Sequence, residues 1–174
     1  MSTEPRLRLR PARSTDAGKI GEIITESVIA RTWKPRLYSG AEDIAHAGAM
    51  IDRGWVTVAL AEDDRQSTVV GFLVRDGEDI HALFIAQAMQ GLGVGQALME
   101  EAQAQVKLLK LWTFAENRGA QRFYERMGFE VTGHGDGSDQ PEGLPTISYH
   151  WELGSKPKPT SPRSGNSAQA LDAA

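Results

Sequence analysis

An α/β fold, with a mixed sheet of six or seven strands and helices on both faces, is what the sequence predicts. Three observations carry the expectation. Apolar runs of strand length are interspersed with helical periodicity along most of the chain. Within Ile80 to Leu109, a short apolar run (Ala82 to Ala86) feeds a polar glycine-rich loop (Gln87 to Gly95). A helical pattern follows, in which Val94, Leu98, Ala102, Val106 and Leu109 recur every three or four positions. Finally, Lys110 to Ala115 (KLWTFA) reads as a strand, so the intervening helix becomes a crossover and the two strands run parallel.

The other elements follow in order. Arg6-Leu7-Arg8-Leu9-Arg10 alternates strictly and predicts an edge strand with Leu7 and Leu9 inward. Thr15 or Asp16 caps a helix with Ile20, Ile23, Ile24, Ser27 and Val28 on one face. Pro35 interrupts RTWKPRLY, Arg31 to Tyr38, and a second helix runs from Ala41 to Ile51 with Ile44, Ala47 and Ile51 inward, closed by Gly54. Trp55 to Ala61 and Val69 to Val74 are strands, and Asp76-Gly77 marks the tight turn into the next one. Asn117 caps a short helix that Gly128 ends, and Phe129 to Thr132 and Thr146 to Leu153 are the last strands. They flank the acidic, glycine-rich loop GHGDGSDQPEGLP. From Gly154 to Ala174 the composition turns to Lys, Pro, Ser and Gly without periodicity, which predicts a disordered tail after a domain spanning 1–153.

The 174 residues suffice for one domain with a proper core. A formal charge of −4 argues against a nucleic-acid partner. With no cysteine there is neither a thiolate zinc site nor an acyl-cysteine route, and the four histidines show no ligand spacing, so no metal is expected. No stretch reads as a signal peptide or a membrane span, so the cytoplasm is the expected location and no membrane partner is expected.

A strand that feeds a glycine loop and then a helix N-terminus is an anion-binding device. The first helical N–H groups lack internal partners, and the macrodipole places partial positive charge there. Gly91, Gly93 and Gly95 carry no Cβ, so a phosphate can approach the backbone. The P-loop pattern fails, because Gly95 is followed by Gln96 and Ala97 rather than Lys-Ser/Thr. The dinucleotide fingerprint is half met by Gly91-Leu92-Gly93; its third glycine would fall at Gln96, while Glu116 sits about where a ribose-binding acid would.

Gln90-Gly91-Leu92-Gly93-Val94-Gly95, preceded by the apolar Leu83-Phe84-Ile85, resembles the Q/R-x-x-G-x-G/A signature of the GCN5-related N-acetyltransferases, the GNAT family. NRGAQRFYERMGF, Asn117 to Phe129, is similar to a second block of that family, and a weaker resemblance extends from about Leu7 to Leu153. The resemblance implies a mixed, mostly antiparallel sheet and transfer of an acetyl group from acetyl-coenzyme A (acetyl-CoA) to a small-molecule or peptide amine. It places the pyrophosphate on the Gln90 to Gly95 backbone and the pantetheine and thioester on main chain near Phe84, Ile85 and Ala86, where the family has a bulge. Asn117 would reach the pantetheine arm and Tyr124 would act as general acid. Gln87 departs from the proline common at its position. Homodimers are common among relatives.

Read from the residues alone, Ala120, Phe123, Tyr124 and Met127 share one helical face, so Tyr124 is equally a core residue. The general base stays open. Asp79, His81, Leu83 and Ile85 share one strand face by period two; His81 titrates in the useful range and Asp79 would serve if buried. Glu116, His134 and His150 are weaker candidates. Acceptor recognition falls to Arg31–Tyr38 and His134–Pro145, where Asp136, Asp139 and Glu142 read as a solvated charge run. The rival to an enzyme is a non-catalytic module that binds and senses acyl-CoA.

Overall fold

A computed structural model describes residues 5–154. The expected tail from Gly154 onward lies outside the described residues, apart from Gly154 itself. Seven strands form one sheet in the order β1-β2-β3-β4-β5-β7-β6. They are β1 (Arg6–Pro11), β2 (Val56–Glu62), β3 (Ser67–Asp76), β4 (Asp79–Ile85), β5 (Leu108–Phe114), β6 (Glu130–Gly135) and β7 (Thr146–Glu152). Neighbours pair antiparallel throughout, except β4 and β5, which run parallel.

Four helices cover the two faces: α1 (Ala17–Ala30), α2 (Gly40–Asp52), α3 (Val94–Gln105) and α4 (Arg118–Arg126). Ile20 and Ile23 of α1 and Ala47 of α2 pack on Val56, Val58, Phe72, Val74, Ala82 and Phe84. On the other face Val94, Leu98 and Met99 of α3, with Phe123 and Tyr124 of α4, pack on Leu73, Ile80, Leu83, Ile85, Leu109 and Tyr149. The expected α/β layering and crossover are both present.

Five expectations need correction. The helical pattern was extended to Leu109, but α3 ends at Gln105; Val106 is extended (φ −140°, ψ 165°) and Leu109 is a core residue of β5. Leu109 is three residues after Val106 but also alternates with Leu111, and the sheet decides between the two periods. Ile44 is 43% exposed, because α2 turns Asp43 inward instead, where its carboxylate accepts the Thr25 hydroxyl at 2.7 Å. Ile44 still packs along α1: a Cβ on Gly21 would stand 2.5 Å from its Cγ1. Leu7 is 41% exposed on the edge strand β1. Residues His134 and Gly135, expected in the acidic loop, belong to β6.

The fifth correction matters most for function. In the β3–β4 ladder Val74 pairs with Ala82 and Arg75 with Ile80, so the bulge falls at His81, not near Ile85 and Ala86. A bulge breaks the alternation of faces. Ile80, Leu83 and Ile85 point to the α3 side, Ala82 and Phe84 to the α1 side, and His81 lines a cavity beside Ala82 and Phe84. His81 therefore does not share a face with Leu83 and Ile85, as period two had placed it.

Candidate active site

The glycine loop is built to leave a helix end open. Its first turn is a short 3₁₀ segment, Gln87–Met89, closed by Met89 N–H on Ala86 O at 2.9 Å. The Gln90 amide donates to Ile85 O at 3.4 Å and ties the loop back to β4. Gly91 (φ 78°) and Gly93 (φ 82°) take left-handed conformations that suit glycine. Gly93 is the N-cap of α3 and has no side chain to offer the free N–H groups; the Ala97 N–H is bonded, reaching Gly93 O at 3.0 Å. A Cβ on Gly93 would meet nothing within 4 Å, so the space in front of the helix is open.

Those features fit a diphosphate: donors, a favourable dipole and room for close approach. Gly91, Leu92 and Gly93 are exposed, whereas Val94 and Gly95 are buried, so Val94 offers a ligand only its backbone. Gly71 lets α3 start so close to the sheet, since a Cβ there would stand 3.2 Å from Val94 Cγ1 and 2.8 Å from Ile85 Cδ1.

Between β4 and β5 the sheet opens. Their register holds at Asp79 and Lys110, with Lys110 N–H on Glu78 O at 2.8 Å. Beyond that point β5 stays paired with β7 as far as Phe114 and Thr146. The β4 backbone from Ala82 to Ile85 lies outside the β4–β5 ladder. Phe84 and Ile85 are 4% and 5% exposed and packed in opposite cores, so on the side of the gap they could serve a ligand through main chain.

On the α1–α2 side lies a cavity of about 560 Å³. The two stretches expected to recognise an acceptor meet there: Lys34 to Tyr38 on one wall and Glu142 on another, with His81 of β4 between helices and sheet. Trp33 stands edge-on to Phe114 at 5.8 Å, which docks the α1–α2 loop on the end of β5. Asp136 and Asp139 are exposed, as a solvated run requires, but Glu142 is half-buried and lines the cavity.

His81 stacks against Trp55, and its Nε2 is buried without a hydrogen-bond partner among the described residues. Asp79 is exposed at the start of β4, so the burial that would suit it as a base is missing. It lines a second cavity of about 610 Å³, which His81 and His150 line as well. Glu116 and His134 are exposed and line neither cavity. Asn117 caps α4 as expected, its side-chain oxygen accepting Ala120 N–H at 3.2 Å. Tyr124 is fully buried among Phe123, Phe129 and Tyr149, with ring centroids 5.4, 5.7 and 6.0 Å away. Burial also pushes the Tyr149 phenol up to about 12.

Sequence reasoning missed Trp55 as a site residue. Trp55 read only as a strand residue, and its contact with His81 crosses β3. Thr113 is fully buried on β5, and its hydroxyl has no partner among the described residues; nothing in KLWTFA singles it out.

A mixed sheet with one splayed parallel pair and an open helix N-terminus at its mouth defines an α/β protein whose helix end suits an anion. Residues 54–131, which include both sequence blocks, match the family described as "Acetyltransferase (GNAT) domain". Over 91 residues the chain is 34% identical to peptidyl-lysine N-acetyltransferase YjaB of Escherichia coli K12, covering 52% of this chain and 60% of that protein. Over 95 residues it is 33% identical to the 5-NmdU N-acetyltransferase of Pseudomonas phage PaMx11, covering 52% and 68%. The solution structure of apo-form YjaB from Escherichia coli superposes with a TM-score of 0.70 at 26% identity, over 84% of this chain and 97% of that one. Salmonella typhimurium yncA, solved with acetyl-CoA, shares the fold with a TM-score of 0.64 at 18% identity, over 92% and 99%. The chain belongs to the GCN5-related N-acetyltransferase family. Its aligned stretch spans about three fifths of YjaB.

Proposed function

We propose that this protein moves an acetyl group from acetyl-CoA to a primary amine by direct attack in a ternary complex. The observation that carries the reading is the gap between β4 and β5. At its mouth stands the open N-terminus of α3, and on the other side of β4 is the cavity that His81 lines. Donor and acceptor would thus meet across one strand.

When bound, acetyl-CoA supplies the acyl group and a thiolate leaving group. The first N–H groups of α3 hold the diphosphate. Main-chain N–H groups between Ala82 and Ile85 are the donors available to the thioester oxygen. His81 Nε2 takes the proton of the incoming amine, and the Tyr124 hydroxyl returns one to the departing sulfur. The C–N bond forms as the C–S bond breaks; counted from the protonated amine, the products are an amide, a thiol and one released proton. The same proposal keeps the enzyme in the cytoplasm, acting on a small-molecule or peptide amine; among the described residues no helix is long and apolar enough to cross a membrane.

The test is release of free thiol from acetyl-CoA over a panel of amines, beside melting shifts with acetyl-CoA, NAD and ATP. Acetyl-CoA should raise the melting temperature most, and at least one amine should release thiol. A larger shift with NAD would favour the dinucleotide reading. Tight acetyl-CoA binding without turnover on any amine would favour an acyl-CoA sensor.

A further inference from the structure

We infer that Glu142 anchors the acceptor's ammonium group, and that the acceptor is a primary ammonium on an uncharged apolar stem. The inference rests on the acetyl-transfer reading of the same cavity. Most charged groups around that cavity already have protein partners. The Asp43 carboxylate accepts the Thr25 hydroxyl at 2.7 Å. Arg36 Nε donates to Tyr38 O at 3.2 Å. Arg53 lies 4.8 Å over the Trp55 ring, and Lys34 Nζ lies 5.5 Å from the centre of the Phe114 ring.

Two polar atoms of wall residues differ. Glu142 Oε2 and His81 Nε2 are both buried and both lack a hydrogen-bond partner among the described residues. Glu142 is held where it is by a compact loop, not by chance of a free strand. Gln140 N–H bonds Gly137 O at 3.1 Å, and Gly143 N–H bonds Gln140 O at 3.0 Å, so Glu142 sits inside the second of two successive turns. Gly137 (φ 89°) is buried, and a Cβ there would collide with the Leu144 backbone.

A carboxylate oxygen accepts hydrogen bonds, and so does the imidazole nitrogen that carries the lone pair. The ligand group that suits a buried, unpartnered carboxylate oxygen is an ammonium, with three N–H donors and a compensating charge. A neutral alcohol has one donor, and a carboxylate has none. Ile24, Val28, Leu37, Met50 and Phe84 supply apolar wall for the stem. His81, which lines the same cavity, is the proposed acceptor of the N–H proton whose loss frees the nitrogen lone pair to attack. A free alkyl or arylalkyl amine and the lysine side chain of a peptide share this chemistry.

Calorimetric titration of the full chain with phenethylamine, n-hexylamine, a peptide bearing one internal lysine, and 2-phenylethanol tests it. The wild type should bind at least one amine and should bind the alcohol far more weakly. Glu142→Gln should weaken amine binding roughly 10- to 100-fold, leaving the melting shift with acetyl-CoA unchanged, and Glu142→Asp should recover part of the loss. The tighter arm, free amine or peptide, identifies the source. Equal amine affinity in wild type and Glu142→Gln, alcohol binding as tight as amine binding, or no binding in any arm would overturn the inference. Thiol release is measured separately: Glu142-dependent amine binding without turnover would sink the acetyl-transfer reading and leave the ammonium site standing.

Discussion

His81 stacks on Trp55, with ring centroids 5.2 Å apart and planes 25° from parallel. The indole fixes the imidazole plane at the bulge beside the cavity on the α1–α2 side of the sheet. Trp55→Ala should therefore reduce kcat/KM by about 10- to 100-fold through loss of position, whereas Trp55→Phe should keep most of the activity. The pH profile separates this from simple unfolding: a positioning role moves its acid limb, and a merely structural role does not. An unchanged profile and rate in a folded Trp55→Ala protein would remove Trp55 from the site.

Gly93 caps α3 with φ 82° and open space in front of it. Gly93→Asp should abolish acetyl-CoA binding at concentrations that saturate the wild type, because its carboxylate would stand where the diphosphate belongs. The left-handed backbone adds a folding cost of roughly 1 to 2 kcal/mol. Retained affinity in the folded mutant would contradict the phosphate assignment.

Tyr124 is fully buried, so ring packing and proton donation predict different things for Tyr124→Phe. The mutant keeps the ring. As general acid, Tyr124 should be worth about 10² to 10⁴ in kcat, with acetyl-CoA affinity unchanged. Full turnover would return the residue to the core and give the proton to water.

Thr113 carries a buried hydroxyl with no partner among the described residues. Replacing such a group by an isosteric methyl removes an uncompensated desolvation cost. Thr113→Val should stabilise the protein by about 1 kcal/mol, read as a rise in denaturation midpoint. A loss of stability would mean that the hydroxyl is bonded in solution.

The Arg10 guanidinium donates to Asp16 Oδ2 at 2.7 Å and joins β1 to the start of α1. That hydrogen bond holds the Asp16 carboxyl below the usual carboxylate range, although burial opposes it. The group protonates less readily folded than unfolded. Its stabilisation is therefore present above the ordinary carboxylate pKa and lost as pH falls through the lowered folded value. Asp16→Asn should cost about 1 to 3 kcal/mol near neutral pH and flatten the acid limb of the stability curve. An acid limb identical to that of the wild type would show that the ion pair does not form in solution.

The elements legible in the sequence were those whose information is local. Three glycines before an amphipathic helix, Asn117 before a short one, and Asp76-Gly77 between two apolar runs act through backbone conformation and nearest-neighbour hydrogen bonds. The strand–loop–helix crossover, the open helix end and the family resemblance came from those stretches alone. Tertiary structure decided where period failed. Leu109 matched a helical repeat and a strand repeat equally, and packing in β5 settled it. His81 changed faces because one extra residue entered the β4 ladder, and a bulge has no local sequence mark. Glu142 looked like one of three solvated acids until two turns around Gly137 and Gly143 drove it alone into the cavity. Which side chains meet depends on long-range pairing between β2, β4 and the β6–β7 loop, and no short window of sequence contains that pairing.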